Sequence, residues 1–325
     1  MQPRVLVTHP LPDAALDMIR DACDMAYDPS EQPLSPIALR QAVADKEGVV
    51  CVVTDRIDAE VLAAGPSLRV VANVAVGYDN IDVVAATQRG IVVTNTPGAV
   101  TESTADFAWG LLCSVARRIP ESDRYIRDGK WREWHLMLMV GYDVYERTLG
   151  LVGMGRIGQA VARRARGFGM RILYHTRTRV APEIEEALGA TWVPLPMLLQ
   201  QADFISLHVP LSPLTTHLIG LDELRMMKPT AYVINTARGA VMDEAALIQA
   251  LQEGWIAGAA LDVFEREPEV PQALKDCDNV VLAPHIGSSS VATRTRMTVM
   301  AATNMISVLR GERPPHVVNP EVYVV

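Results

Sequence analysis

LGLVGMGRIG, residues 149–158, decides how this chain folds. A short apolar run at 149–152 ends in a turn with glycines at Gly153, Gly155 and Gly158. A helical pattern follows at once. Ile157, Val161, Ala165 and Phe168 recur at near-helical spacing, with Arg163, Arg164 and Arg166 mostly on the other face. A strand, a tight glycine turn and a helix form the layout that holds a pyrophosphate. The first glycine makes the turn, the second admits the phosphates, and the third lets helix and strand pack closely. Met154, Arg156 and Ile157 sit within this cradle. A lone G-x-G-x-x-G is weak evidence; here the strand before it, the helix after it and a second strand at 171–174 supply the context for a dinucleotide.

The 325 residues suffice for two domains of ordinary size. Hydrophobic residues make up 49% and charged residues 21%, which favours a large core over disorder. The formal net charge is −8 with no basic block, so nucleic acid is not an expected partner. The basic stretch 163–166 reads as a solvated helix face. Cys23, Cys51, Cys113 and Cys277 lie far apart and form no C-x-x-C pair, the pattern of reduced thiols in a cytoplasmic protein. No signal-peptide segment opens the chain, and no apolar run reaches the roughly 18 residues a membrane span needs.

Strand patterns at 4–8, 48–53, 69–74 and 91–94 alternate with helical ones at 14–23, 36–44, 59–64 and 82–89. A long helix is expected over 101–118. The segment 128–145, DGKWREWHLMLMVGYDVY, concentrates Trp131, Trp134, methionines and leucines outside any clear element. Such composition suits a subunit contact, so a homodimer is expected. Further strands are expected at 149–152, 171–174, 203–209, 231–236, 257–261 and 280–283, a helix over 243–253 that Asp243 caps, a last helix over 290–309 and an extended tail over 314–325. The fold class is α/β, with two doubly wound parallel-sheet domains. Residues 1–99 and 286–325 form one, discontinuous; residues 100–285 form the dinucleotide-binding domain.

Four stretches beyond the glycine turn end predicted strands: Val76-Gly77-Tyr78-Asp79, Asn235-Thr236-Ala237-Arg238-Gly239, 262–268 (DVFEREP) and Pro284-His285-Ile286-Gly287-Ser288. Open α/β sheets bind ligands at the carboxyl ends of their strands. An arginine, a carboxylate and a histidine therefore converge beside one end of a dinucleotide. Glu265 and Glu267 both compete as the histidine's partner. His9, His175, His217 and His316 have no partner visible in the sequence and read as structural. His208 is expected at most to pack against the cofactor, and His135 to approach the substrate mouth. No cluster has metal-ligand spacing.

With these residues in view, the chain resembles the D-isomer-specific 2-hydroxyacid dehydrogenases. LVGMGRIGQAVA, INTARGAVMDEAAL, AALDVFEREP and LAPHIGS follow that family's pattern in order and at its intervals, over nearly the whole chain. WREWHLMLMVGYDVY, ILYHTRTR and EGWIAGAALDVFEREP most resemble its glyoxylate/hydroxypyruvate reductases. The resemblance implies a flavodoxin-like substrate domain and a Rossmann cofactor domain. It implies that Arg238 grips the substrate carboxylate, His285 acts as general acid, and Glu267, immediately before Pro268, orients His285. Amides of Val76 and Gly77 are implied to bind the same carboxylate. Thr104, Val209, Pro210, Thr215, Thr236, Ala237, Asp262 and Gly287 are implied cofactor contacts, together with Arg238 and His285.

NAD enzymes of this architecture usually end the second strand with an acid that binds the adenosine ribose. Here 171–174 runs into His175-Thr176-Arg177-Thr178-Arg179, without one. By alignment with the family pattern, Thr176 stands in the acid's place. Arg177, with Thr178 or Arg179, can bond a 2′-phosphate, so NADPH is expected over NADH, with NADH possible. The expected reaction is reduction of glyoxylate or hydroxypyruvate. D-lactate, D-3-phosphoglycerate and phosphite oxidation are the enzymatic alternatives, and a dinucleotide-sensing co-repressor is the non-enzymatic one.

Overall fold

The computed structural model describes residues 2–324. The chain divides into two compact units, Met1–Val100 with Ser289–Val325, and Thr101–Ser288. Among the described residues, all strand pairs within the two sheets are parallel.

The first unit holds β1 (Arg4–Val7), β2 (Asp24–Tyr27), β3 (Gly48–Cys51), β4 (Val70–Asn73) and β5 (Val92–Thr94), in the order β2-β1-β3-β4-β5. This is the flavodoxin-like order. β3, β4 and β5 are buried along their whole length, as a sheet covered on both faces requires. β2 is an addition to the sequence reading. Its residues Asp24-Met25-Ala26-Tyr27 form a half-buried edge with no apolar run to announce it. The helix Val291–Leu309, capped by the Ser290 hydroxyl, packs on β3, β4 and β5 of its own unit. The tail departs from the expected extended form. Val317 bridges to Thr94, the buried Asn319 side chain accepts from Val93 N (2.8 Å) and donates to Ile91 O (2.9 Å), and Pro320–Tyr323 then winds into a 3₁₀ turn.

The second unit holds β6 (Thr148–Val152), β7 (Arg171–His175), β8 (Ala190–Trp192), β9 (Phe204–Leu207), β10 (Tyr232–Asn235), β11 (Gly258–Leu261) and β12 (Val280–Leu282). Their order is β12-β11-β10-β9-β6-β7-β8. Chain direction through the sheet reverses at β6, which lies between β7 and β9, and ligands of doubly wound sheets bind at such a switch point. β8 is three residues long and escaped the sequence reading.

The helix expected over 101–118 stops at Ala116. Proline has no N–H to donate, so Pro120 cannot complete the helical bond to the Ala116 carbonyl. That carbonyl accepts the Tyr142 amide instead (2.8 Å). Arg118 adopts a left-handed conformation (φ 54°) and forks onto Glu121 through two 2.7 Å hydrogen bonds, and a second helix follows, Ile119–Arg127. The basic stretch 163–166 is not simply solvated. Arg163 and Arg164 pair with Glu102, and Arg164 also with Asp106, tying helix Arg156–Gly167 to helix Thr101–Ala116. Among the described residues, no helix is long and apolar enough to cross a membrane.

Candidate active site

The glycine turn follows β6 at the switch point. Gly153 has φ +105°, a region L side chains avoid, and a Cβ there would lie 2.6 Å from the His208 carbonyl oxygen. A Cβ at Gly158 would overlap the Gly153 carbonyl. Both therefore serve the close passage of strand, turn and helix. Gly155 differs: a Cβ there would meet no protein atom within 4 Å. Its missing side chain leaves open space over the start of helix Arg156–Gly167, whose first turn has no side-chain cap. Amides without side-chain partners at a helix start suit a pyrophosphate. Met154 is buried in the turn, Arg156 is exposed at the helix start and Ile157 is half-buried.

The carboxyl ends of β10, β11 and β12 carry the candidate side chains Arg238, Glu267 and His285. After β10, the buried Asn235 shapes the loop: its Oδ1 accepts from Ala237 N (3.0 Å) and its Nδ2 donates to Arg238 O (2.9 Å). A Cβ at Gly239 would overlap the backbone of Phe264 and Glu265, so only glycine lets the arginine loop sit against the loop after β11. Arg238 Nη1 donates to Ala237 O (2.9 Å), and the guanidinium charge acts on Glu267. The Thr236 hydroxyl is buried with no protein partner. A buried hydroxyl normally finds one, and a bound ligand can supply it.

His285 is gripped at both ends. Its backbone N donates to Asp262 O (2.8 Å), and the Asp262 carboxylate accepts from Ile286 N and Gly287 N (2.7 Å each). These bonds hold His285 at φ +54°, a conformation that costs of order 1–3 kcal/mol in a residue with a side chain. Its Nδ1 lies 2.7 Å from Glu267 Oε2, while Glu267 Oε1 accepts from Phe264 N (3.0 Å). Nδ1 therefore carries the proton that faces Glu267. Burial pushes the Glu267 carboxyl up. The hydrogen bond and charge of His285, the Phe264 amide and the Arg238 charge outweigh it, and the net shift is downward. For Asp262 burial prevails over the Ile286 and Gly287 amides and its carboxyl is raised. Glu265 is drawn elsewhere, onto His217 (2.8 Å) and Glu244 N (3.1 Å).

The remaining candidates of this unit lie on helix Thr101–Ala116 and after β9 and β7. Thr104 is buried near Gly287. Val209 and Pro210 follow β9. The Thr215 hydroxyl donates to Pro210 O (2.6 Å) and accepts from Ser212 N (2.8 Å), closing that loop on itself. After β7, the Thr176 hydroxyl donates to Thr178 O (2.8 Å), and Arg177 is exposed. Arg179 is engaged: its Nε and Nη2 donate to the two oxygens of Glu185 (2.7 and 2.6 Å), to which the Tyr174 hydroxyl also donates. Arg179, then Tyr174, hold Glu185 down at about 2. In the first unit, Val76 O and Gly77 O accept from the side chains of Asn95 (2.8 Å) and Asn73 (2.9 Å), which fixes the loop after β4 by its carbonyls.

Three histidines read as partnerless have partners. His217 pairs with Glu265, His9 lies 3.4 Å from Asp55, and His175 Nδ1 lies 3.0 Å from Val193 O. All three pairings join residues distant in sequence. His208 is half-buried, with Nε2 2.9 Å from the Ser206 hydroxyl. His135 is exposed beside Glu133. Asn235, Gly239 and Glu265 act on the site without having been singled out for these roles. Asn-x-x-Arg-Gly after a strand is the signal that could have found the first two. Among the described residues, no group of three or more His, Cys, Asp or Glu could hold a metal ion.

Comparison with known proteins agrees with this geometry. Residues 109–287 match the model of the D-isomer specific 2-hydroxyacid dehydrogenase, NAD binding domain. The chain is 56% identical over 324 residues to a glyoxylate reductase of Korarchaeum cryptofilum, covering 99% of this chain and 97% of that one. A solved structure of a protein from Thermus thermophilus superposes with TM-score 0.90 at 46% identity, covering 97% of this chain and 99% of that one. The NADPH-dependent glyoxylate/hydroxypyruvate reductase of Sinorhizobium meliloti, solved with NADP and malonate, gives TM-score 0.87 at 37% identity, covering 98% and 97%. The nucleotide cradle, the Arg238, Glu267 and His285 set and these matches lead to one conclusion: the chain belongs to the D-isomer-specific 2-hydroxyacid dehydrogenases, oxidoreductases that use a nicotinamide cofactor.

Proposed function

We propose that this enzyme reduces glyoxylate or hydroxypyruvate to the corresponding 2-hydroxy acid, with NADPH as the preferred cofactor. The observation that carries the reading is the 2.7 Å pair of His285 and Glu267 with the Arg238 charge beside it. Arg238 clamps the substrate carboxylate with two parallel hydrogen bonds and draws the keto group into place. The bound nicotinamide supplies the hydride. His285 delivers the proton from Nε2 to the keto oxygen as the carbonyl carbon is reduced, and regains one from solvent afterwards. Glu267 keeps the ring oriented and balances its charge while it is protonated.

The NADPH preference rests on the end of β7. Thr176 stands where an acid would repel a phosphate, and Arg177 is the exposed guanidinium next to it. Arg179 is committed to Glu185, so the phosphate falls to Arg177 with Thr176 and Thr178. The Sinorhizobium meliloti relative was solved with NADP.

We also infer a homodimer. Trp134, Leu136 and Met137 are 72%, 76% and 73% exposed, and Ile119, Ile126 and Tyr145 are exposed as well. A patch of this composition suits an isologous interface.

A panel of 2-keto acids assayed with each reduced cofactor tests the reading. Glyoxylate or hydroxypyruvate should give the highest kcat/KM. Faster turnover of pyruvate or 3-phosphohydroxypyruvate would move the enzyme to a different specificity.

A further inference from the structure

Two residues before Glu267, Glu265 turns its carboxylate into a second cluster. Its Oε1 lies 2.8 Å from Nε2 of His217 and accepts from the Glu244 amide (3.1 Å), and its own amide approaches Glu244 Oε2 (3.4 Å). His217 Nδ1 lies 3.9 Å from Asp243 Oδ2. The His217 backbone is left-handed (φ 50°), a conformation of sparse occupancy for a residue with a side chain. Its amide donates to Ala240 O (2.8 Å), and the Ile219 amide donates to Val241 O (3.2 Å). The cluster thus joins three loops: the one after β9, the one after β10 that carries Arg238, and the one after β11 that carries Glu267. Gly239 seats the second loop directly on the Phe264–Glu265 backbone, and the Phe264 amide is itself a ligand of Glu267.

We propose that Glu265 and His217 form a positioning latch that fixes Arg238 relative to the His285–Glu267 pair. Neither touches the reacting atoms. Glu265 holds the arginine loop through the Glu244 amide and the β9 loop through His217, while the peptide next to it anchors Glu267. Loss of the latch frees the Arg238 and Glu267 loops to shift independently. Carboxylate clamp and proton donor then no longer meet one substrate geometry, so kcat and KM both suffer. The latch acts through the contacts of Oε1, which an amide oxygen in its place can keep.

This rests on the reductase reading, and the experiment separates the two. Glu265→Ala, Glu265→Gln, His217→Ala and the double alanine variant are assayed with glyoxylate and NADPH, per site titrated with NADPH. Glu265→Ala and His217→Ala should each lower kcat/KM on the order of 10–10²-fold, the scale of a small misplacement in a preorganised site. Glu265→Gln should stay within about 3-fold of wild type, since its amide oxygen can still accept from the Glu244 amide and meet His217 Nε2. The double variant should be no worse than the weaker single by more than about 2-fold, because both substitutions break one latch. His217 is half-exposed, so its variant reports even if Glu265→Ala fails to fold. A wild type inactive with every 2-keto acid overturns the reductase reading and the latch together. An active wild type with both alanine variants within about 2-fold of it overturns the latch alone, as does a double variant that loses the product of the single effects.

Discussion

His285 is defined by what holds it. Asp262 fixes its peptide and the next two, Glu267 fixes its ring, and Arg238 contributes charge to Glu267. The two-bond carboxylate clamp proposed for Arg238 needs a flat, forked cation. Arg238→Lys should therefore raise the KM for glyoxylate at least about 10-fold, since a point charge cannot make both bonds. Initial-rate kinetics with wild-type-like parameters for the lysine variant would exclude a bidentate clamp. His208 offers a pH test. Burial lowers its imidazole from 6.5 to about 4. Between those values the unfolded chain binds a proton that the folded chain refuses. Stability should thus fall as pH drops from 6.5 to about 4, with no further loss from this group below that. His208→Gln, which can still bond Ser206, should flatten melting temperature against pH in this window and leave it unchanged above about pH 7. Equal slopes in both proteins would show that His208 titrates normally. Arg238 and His285 were legible in the sequence because each ends an apolar strand within a recognisable motif. The His217–Glu265 and His9–Asp55 pairs were not, because each joins residues whose proximity only the folded loops create.

Strands and helices were legible where one force dominated. β3, β4, β9 and β10 are short apolar runs buried on both faces and were visible as such. β2 and β8 lie at sheet edges, where half-burial erases the pattern. The break at Arg118 was written in Pro120, but the partner that takes over the Ala116 carbonyl, Tyr142, lies 26 residues on and could not be seen. The NADPH preference proposed above rests on the end of β7. Arg177→Ala should raise the KM for NADPH on the order of 10-fold while leaving NADH within about 2-fold, because only NADPH carries the phosphate it bonds. Arg179→Ala should change the ratio far less, since Glu185 already occupies that guanidinium. Thr176→Asp should shift preference toward NADH. Titration of both cofactors at fixed glyoxylate decides; an Arg177 variant that weakens both equally would show that this loop does not read the phosphate.

At the level of the complete chain, composition and motif order pointed to the fold class, and each sheet has the strand order of a doubly wound domain. The segment 128–145 stood out by its aromatics and methionines, and much of its apolar surface faces outward. A homodimer should sediment as a single species near 71 kDa, about twice the 35.5 kDa chain, at micromolar concentration. Trp134→Glu with Leu136→Glu should shift it toward monomer, because each protomer would bring two carboxylates into the interface. A wild type that sediments as a stable monomer would exclude the interface.

The most direct test is the initial rate of NADPH oxidation with glyoxylate, measured for wild type and His285→Ala, with NADPH binding measured in parallel by fluorescence. Wild type should turn over rapidly, and the variant should lose about 10²–10⁴-fold in kcat. The NADPH dissociation constants should stay within about 3-fold of each other, because the role proposed for His285 is proton transfer and the substitution leaves the glycine turn and the end of β7 intact. A variant that keeps near-normal turnover, or a wild type that binds NADPH and oxidises none of it with any 2-keto acid, would contradict the assignment.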